Sequence, residues 1–303
     1  MSIGPREIIT HGIEAIRSKI SSDHWVAHNP RPRTQFPIEE QMLVLGHRGA
    51  RGVAPENTMA GFEVCSKLGV GFELDTQLCA SGEPVVFHDD TLNRCTNGSG
   101  YLHHQSLKQL KKLDAGSHFS HEFTGEPIPT LGEVLETYGK SLVVDIEIKD
   151  ESFNNDPRPL VDAVFKEIDK RNLHDRVSIT SFNPEVLWLM RERCPEILRG
   201  QLYYSFADTE LPVYQREFLR NLGFNSQAKP DWLVPRHLMV NQDYVERYQS
   251  LGYRVSTWTV NHPGEMRRLL NLGVDSIITD YPATLKKVVD EHLNDINQIH
   301  GKI

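Results

Sequence analysis

Three carboxylates stand in segments that have the pattern of β-strands. Glu73 and Asp75 lie two residues apart in the apolar run 71–77, so both point to one face of a strand, about 6.6 Å apart along it. Glu147 lies in a second run, 142–149. Three carboxylates brought together would repel one another, and a divalent cation would relieve that repulsion. All-oxygen ligands favour Mg²⁺ or Ca²⁺ over zinc, so the sequence predicts such a metal site.

Two histidines and two cationic residues occur at or next to the ends of the apolar runs near these carboxylates. His47 ends the first predicted strand, and His88 ends an apolar run that follows Asp75 by a few residues. Histidine is the side chain best suited to exchange protons near neutral pH, so a pair could supply one acid and one base. Arg48 and Lys149 add positive charge that suits a phosphate oxyanion. Together these residue types indicate chemistry on a phosphate ester.

An alternation of short apolar runs with helical segments predicts the scaffold for these residues. We predict eight barrel strands at 43–47, 71–77, 142–149, 177–182, 199–204, 232–237, 254–260 and 276–279. Helices are predicted between them at 59–68, 131–138, 160–172, 184–193, 213–222, 242–251, 265–272 and 283–293. In the run 142–149 the polar residues Asp145, Glu147 and Lys149 share one face, which in a barrel points inward. The fold expected is therefore an α/β protein, a (β/α)₈ TIM barrel.

One apolar run, 84–88, is left over from the eight strands. Too few residues separate it from the strand 71–77 for a parallel crossover, so we predict an antiparallel hairpin that turns at Ser81 and Gly82. This pairing would place His88 opposite the neighbourhood of Glu73 and Asp75. An insertion after the second strand, at about 89–129, is long enough to be a lid or small subdomain. Residues 1–40 are interpreted as an N-terminal extension, and 41–303 as the barrel domain.

Composition excludes several classes of function. The formal net charge of −8 over 303 residues disfavours broad binding to nucleic acid or to an anionic membrane. No apolar run approaches the ~18 residues of a transmembrane helix, and the first 40 residues lack the apolar core of a signal peptide. We therefore expect a cytoplasmic protein with a small-molecule substrate, whose oligomeric state the sequence leaves open.

A series of motifs in a fixed order carries a resemblance to a known family. The motifs are GHRG at 46–49, APENT at 54–58, ELD at 73–75, PVVFHD at 84–89, EIK at 147–149, SF at 181–182, WTVN at 258–261 and TDYP at 279–282. In this order the chain resembles the glycerophosphodiester phosphodiesterase family, within the phospholipase-C-like barrel phosphodiesterases. The resemblance runs from about residue 43 to the C-terminus and leaves out the first 40 residues.

The resemblance implies a role for each matching position. It implies that His47 and His88 are the catalytic acid and base, and that Glu73, Asp75 and Glu147 are the metal ligands. It further implies that Arg48 and Lys149 contact the phosphate. Two further roles come from the resemblance: Glu56 orients the first loop, and Trp258 packs against the glycerol or the leaving group.

The expected reaction is metal-dependent hydrolysis of glycerophosphodiesters to an alcohol and sn-glycerol 3-phosphate. A lysophospholipase D acting on single-chain lysolipids is an alternative, and an apolar strip near the mouth of the barrel would favour it. A non-catalytic barrel that only binds phosphate esters is a second alternative. A sugar-isomerase barrel could also use carboxylates with Mg²⁺, but it would not need Arg48 and Lys149.

Overall fold

Alternating side chains build a closed barrel in the computed structural model, which describes residues 43–150, 156–207 and 209–300, with only the backbone described at 297–300. In Val144–Ile148 the valine and isoleucines are fully buried against the helices, whereas Asp145 and Glu147 point into the barrel. The inward face of this strand is therefore polar, as the sequence pattern predicts.

The sheet contains nine strands within the described residues. They are β1 Leu43–Gly46, β2 Gly71–Leu78, β3 Pro84–Val86, β4 Val144–Ile148, β5 Val177–Ser181, β6 Leu198–Tyr203, β7 Trp232–Pro235, β8 Arg254–Thr257 and β9 Ser276–Thr279. Eight are parallel, in the order β1-β9-β8-β7-β6-β5-β4-β2, and pairing of β1 with β2 closes the barrel. The predicted (β/α)₈ TIM barrel is confirmed.

Ten α-helices accompany the strands in the part of the chain that is described. They are α1 Met59–Leu68, α2 Leu107–Leu110, α3 Leu131–Tyr138, α4 Arg158–Asp169, α5 Pro184–Arg193, α6 Val213–Arg220, α7 Asn225–Ala228, α8 Gln242–Ser250, α9 Pro263–Leu272 and α10 Pro282–His300. Local sequence sets their limits. At α1, for example, the Thr58 side chain accepts a hydrogen bond from Gly61 N, and Gly69 ends the helix in a left-handed conformation. No helix among the described residues is long and apolar enough to cross a bilayer.

The hairpin has the predicted geometry. Strand β3 runs antiparallel to β2, and Thr76 pairs with Val86. Gly82 lies in the turn with a φ of 91°, a conformation that glycine adopts without strain. The hydrogen bond from Phe87 N to Asp75 O, 3.0 Å long, continues the ladder beyond β3 and brings His88 beside β2.

The segment between β3 and α3 has a small core of its own. Leu92, Leu102, Leu110 and Ile128 are buried there together. The segment is joined to the barrel by the hydrogen bond from Val86 N to Pro129 O. The segment also contains the four-residue helix α2, and the predicted N-terminal extension lies outside the described residues.

Candidate active site

A cavity of about 420 Å³ opens at the carboxyl ends of the barrel strands. Seven of the eight residues singled out in the sequence line it: His47, Arg48, Glu73, His88, Glu147, Lys149 and Trp258. The eighth, Asp75, is 1% exposed and lies beside them. The structure therefore brings together every site residue that the sequence predicts, although the chain separates the first and last by more than 200 positions.

The three carboxylates meet because β2 and β4 are paired in register. Asp75 stands directly opposite Glu147, and Glu73 precedes Asp75 by one inward-facing position. One oxygen from each of the three carboxylates lies within 4.8 Å of the other two, and all three residues are buried. The two-residue spacing of Glu73 and Asp75 thus becomes a three-dimensional cluster through the pairing of two strands.

Residues of the loop after β1 hold this cluster in place. Asn57 Nδ2 donates to Asp75 Oδ2 at 2.8 Å, and Asn57 Oδ1 accepts from Asp75 N at 3.2 Å. The backbone N–H of Arg48 donates to Glu73 Oε2 at 2.8 Å. Arg48 and Asn57 both have positive φ, 51° and 56°, so the loop takes a strained shape at the point where it touches the carboxylates.

The electrostatics of the cluster fit a bound cation. Burial, together with the charges of Asp75 and Glu147, raises the pKa of Glu73 well above its ordinary value. Burial alone would also raise the pKa of Asp75, but the charges of Arg48 and Lys149 outweigh it and lower that pKa. Asp75 Oδ1 is buried and accepts no hydrogen bond from the described residues. A carboxylate oxygen left in that state is suited to ligate a hard divalent cation.

Arg48 and Lys149 contact the carboxylates as well as the cavity. Arg48 Nε lies 3.2 Å from Asp75 Oδ2, and Lys149 Nζ lies 3.1 Å from Glu147 Oε1 and 3.9 Å from Asp75 Oδ1. Both side chains are mostly buried, with 11% exposed. They place two positive charges beside the acidic cluster on the lining of the cavity, where a phosphate oxyanion could meet them.

His47 is oriented by a carboxylate at the opposite end of the chain. Its Nδ1 lies 2.6 Å from Asp280 Oδ1, and Asn261 Nδ2 donates to Asp280 Oδ2 at 2.6 Å. Burial would raise the pKa of Asp280, but these hydrogen bonds outweigh it and lower the pKa. The ionised carboxylate can only accept, so His47 Nδ1 carries the proton and Nε2 is free to act as a base.

His88 is oriented in the same way by its neighbour. His88 Nδ1 lies 2.7 Å from Asp89 Oδ1, and Arg94 donates to both oxygens of Asp89 at 2.7 and 2.8 Å. The hydrogen bonds from Arg94 lower the pKa of Asp89 to about 2. Burial lowers the pKa of both His47 and His88, which favours the neutral form of both imidazoles at neutral pH.

The carboxylate of Glu56 accepts hydrogen bonds from three arginines. It accepts from Arg48 at 2.8 Å, from Arg51 at 2.9 Å and from Arg94 at 2.7 and 2.8 Å. Burial would raise the pKa of Glu56, but the hydrogen bonds from Arg94 and Arg48 outweigh it and hold the pKa far below its ordinary value. Glu56 therefore orients the loop after β1, as the resemblance implies, and also ties it to the segment that carries His88.

The wall of the cavity across from the carboxylates is largely aromatic. Phe182 packs edge-to-face against Trp258, with ring centroids 5.5 Å apart, and against Tyr204 at 5.7 Å. Trp258 Nε1 donates to Val234 O at 2.9 Å, which fixes the indole. Trp258 follows β8 directly and lies where the sequence predicts a substrate-packing residue.

Sequence reasoning missed the partners of the two imidazoles. Asp280, Asp89 and Arg94 all occur within or beside the quoted motifs, but nothing in their spacing shows which side chain they touch. It placed Asp145 on the inward face but gave no role to this cavity residue, which accepts a hydrogen bond from Ser178 at 2.6 Å and whose pKa burial raises to about 6. The only available signal was the inward-facing register of Asp145 on the same strand as Glu147.

Comparison with known proteins places the chain in a family. The glycerophosphoryl diester phosphodiesterase family matches it over residues 47–284. The chain belongs to this family. The prediction from the motifs, and with it the prediction of an enzyme of this family, is confirmed.

Relatives of this glycerophosphoryl diester phosphodiesterase family member span nearly all of the described barrel. The glycerophosphodiester phosphodiesterase of Caldanaerobacter subterraneus subsp. tengcongensis is 37% identical over 249 residues, which cover 82% of this chain and 97% of the relative. The glycerophosphodiester phosphodiesterase of Bacillus subtilis is 31% identical over 261 residues, covering 82% of this chain and 87% of the relative.

A solved structure agrees with the fold of this family member. The phosphodiesterase of Oleispira antarctica, in complex with the product sn-glycerol-3-phosphate, is 29% identical and has a TM-score of 0.69. The match covers 82% of this chain and 96% of that one.

Proposed function

We propose that this protein hydrolyses glycerophosphodiesters to an alcohol and sn-glycerol 3-phosphate in the cavity at the barrel mouth. The observation that carries the proposal is the meeting of two imidazoles, each held by a carboxylate at Nδ1, with three buried carboxylates and two cations around one cavity. The product bound in the structure of the Oleispira antarctica relative supports the substrate class.

A divalent cation, Mg²⁺ or Ca²⁺, would be held by Glu73, Asp75 and Glu147. Three buried carboxylates meet here with only two cations beside them, and Asp75 Oδ1 accepts no hydrogen bond from the described residues, so these residues fit such an ion. When bound, the ion would polarise the phosphoryl group as a Lewis acid. Arg48 and Lys149 would hold the phosphodiester oxygens and stabilise the charge that develops on them.

The two histidines would share the proton transfers. The oxygen of water, or of a glycerol hydroxyl of the substrate, bonds to phosphorus while the P–O bond to the alcohol breaks; in the second case water then opens the cyclic phosphate to glycerol 3-phosphate. We assign the base to His47, which takes the proton of the attacking hydroxyl at Nε2. We assign the acid to His88, which first takes up a proton from solvent at Nε2 and then gives it to the leaving oxygen. Asp280 supports this assignment, because its second oxygen is bonded by an uncharged amide, so its charge stabilises the imidazolium of His47. Asp89 is already neutralised by Arg94.

A panel of glycerophospho-alcohols assayed with Mg²⁺, Ca²⁺ and EDTA tests the proposal. We expect release of glycerol 3-phosphate that EDTA abolishes and one of the two ions restores. A protein that binds the diesters without cleaving any of them, with either ion, would be the non-catalytic barrel and would refute the proposal. Turnover insensitive to EDTA would refute the metal dependence alone.

The aromatic wall favours a second candidate, a lysophospholipase D. Phe182, Leu202, Tyr204 and Trp258 form an apolar strip on the lining of the cavity, and Leu238, which follows the cavity residue His237 in the chain, is 71% exposed. Such a strip could accept the acyl chain of a lysolipid. If lysolipids join the panel, their cleavage with release of the head group, at a kcat/KM above that of the water-soluble diesters, would make this candidate the main function.

A further inference from the structure

The cavity has a cationic residue on the side remote from the acidic cluster. Arg236 follows β7 and lines the same cavity as the carboxylates. In the order of the barrel strands, β7 is four positions from β2, so it lies diametrically opposite the strand that carries Glu73 and Asp75. One half of a substrate whose phosphodiester lies near the carboxylates can therefore reach Arg236 across the barrel.

The position of Arg236 follows from its pairing with the aromatic wall. Arg236 and Trp258 form a parallel bridge, so their side chains leave neighbouring strands on the same side. Arg236 is exposed and, within the described part of the chain, its guanidinium makes no ion pair or hydrogen bond with another side chain. This differs from Arg48 and Lys149, which are each paired with a carboxylate. The charge of Arg236 is thus available to a ligand.

A second group stands beside Arg236. His237 also lines the cavity, and its Nδ1 lies 2.9 Å from Glu265 Oε1. Arg268 donates to both oxygens of Glu265 at 2.6 and 2.8 Å, which fixes the carboxylate that orients His237. The imidazole is therefore held in one orientation next to the guanidinium of Arg236. The guanidinium supplies the charge and the donors that suit a phosphate or carboxylate oxyanion, and the oriented ring of His237 forms the wall beside it.

We propose that Arg236, with His237 beside it, forms a subsite for a second anionic group, so that the enzyme prefers glycerophosphodiesters whose alcohol carries a negative charge. This inference rests on the proposed hydrolysis at the acidic cluster. Oligomers in which glycerol units are joined by phosphodiesters have this chemistry, because each scissile bond is followed by another phosphate. The aromatic wall alone would also suit a quaternary ammonium group, but Arg236 on the same wall repels a cation.

Three probes with the same glycerophosphoryl half and different alcohol charge test the subsite. Bis(glycerophospho)glycerol has a second phosphodiester anion, glycerophosphoglycerol an uncharged alcohol, and glycerophosphocholine a cationic one. For the wild-type enzyme loaded with its metal we expect kcat/KM to fall in that order, at least ~10-fold from first to last at low salt. The preference should shrink as ionic strength rises, because exposed charges are screened.

Substitution of Arg236 separates the subsite from the reaction. We expect Arg236→Gln to lower kcat/KM for bis(glycerophospho)glycerol about 10-fold and to change that for glycerophosphoglycerol less than 2-fold, with Arg236→Lys in between. The control is Arg267→Gln, which removes one positive charge from an exposed surface pair with Glu291. It should leave the preference unchanged.

The outcomes distinguish this inference from the proposed function. Loss of turnover in Arg236→Gln for all three probes alike would show that Arg236 serves the shared phosphate or the fold, and would overturn the subsite. Equal turnover of the three probes by the wild type would overturn it too, while leaving the hydrolysis in place. Absence of turnover for every probe would instead refute the proposed function.

Discussion

At the scale of single residues, we expect both imidazoles to be needed for catalysis, and the carboxylates that orient them to contribute unequally to kcat. We predict that His47→Ala and His88→Ala each lower kcat at least ~100-fold, which is the low end for removal of an acid or base. Steady-state kinetics on metal-loaded enzyme measures this. His174→Ala, which removes a histidine paired with Asp169 outside the cavity, serves as the matched control and should retain activity. Near-wild-type turnover in either site variant would remove that histidine from the mechanism.

The partners of the histidines allow a finer prediction. In Asp280→Asn the amide oxygen can keep the hydrogen bond from His47 Nδ1, while the charge and the hydrogen bond from Asn261 are lost, so the imidazolium of His47 loses its main stabilisation. In Asp89→Asn the lost charge was already neutralised by Arg94. We therefore expect kcat to fall about 10–100-fold in Asp280→Asn and several-fold less in Asp89→Asn, with KM little changed in both. Measurement of both constants decides the matter; an equal loss in the two variants would contradict the proposed assignment of base and acid.

The residue types of the site were predictable, but their pairing was not. Glu73 and Asp75 share a face because strand geometry requires it, and Glu147 could be placed inward from the alternation of its strand. The contact between His47 and Asp280 joins positions 233 residues apart, and only the pairing of the first strand, β1, with the last, β9, brings them together. A single sequence contains no signal for that contact.

At the scale of elements, the insertion after β3 supports the site through one side chain. Arg94 belongs to this segment, and its guanidinium bonds Asp89, which orients His88, and Glu56, which orients Arg48. Through Asp89 and Glu56 the insertion is thus linked to both His88, the proposed proton-transfer residue, and Arg48, the proposed phosphate-binding residue. Removal of Arg94 should affect both functions at once.

We predict that Arg94→Met lowers kcat at least ~10-fold, raises KM and lowers the free energy of unfolding by about 1–2 kcal/mol. Glu56 would keep Arg48 and Arg51, so the protein should still fold. The low pKa of Glu56 stabilises the wild type above the pKa of the unfolded chain, and this stabilisation is lost as the pH falls. Denaturation at neutral and acid pH should therefore show a smaller acid-induced loss of stability in the variant.

A control for the Arg94 variant is available on the surface. Arg158 is 62% exposed and bonds only the neighbouring Asp156 among the contacts described for its side chain. Arg158→Met should leave the kinetics and the acid sensitivity unchanged. If Arg94→Met behaved like this control, the proposed link between the insertion and the site would be wrong.

The elements themselves were predicted well where one physical rule decides them. The hairpin of β2 and β3 followed from a connection too short for a crossover. The predicted strands extended one to three residues too far at their carboxyl ends, for example at His47, Phe182, His237 and Trp258. These residues leave the sheet to line the cavity, but their residue types are still those of a strand. In the irregular segment between β3 and α3 the apolar residues recur at neither a helix nor a strand spacing, so only the length of the segment could be predicted.

At the scale of the whole molecule, the acidic cluster lowers the stability of the barrel at the place where the proposed function requires it. A closed barrel buries its inward side chains, yet β2 and β4 place three carboxylates there. The apolar residues of the same strands pack against the helices, and they provide the stability that lets the fold hold such a cluster. A bound cation would offset the repulsion among these buried carboxylates, and this would explain why the fold keeps them together.

We predict that Glu73→Gln makes the metal-free protein more stable, by about 1 kcal/mol, and abolishes its stabilisation by metal. Two carboxylates would then face the two cations Arg48 and Lys149, and the oxygen of the introduced amide could still accept the backbone N–H of Arg48. The raised pKa of Glu73 agrees with the predicted increase in stability, since a buried acid with a raised pKa lowers stability at neutral pH.

The stabilisation by metal should be seen in the wild type alone, which should gain about 2.7 kcal/mol with Mg²⁺ or Ca²⁺ at 100 times its Kd. Chemical denaturation in EDTA and with either ion measures both effects, and Glu192→Gln, at an exposed glutamate, should behave like the wild type. A metal-free variant less stable than the wild type, or one that the metal still stabilises fully, would show that Glu73 is not a ligand held against repulsion.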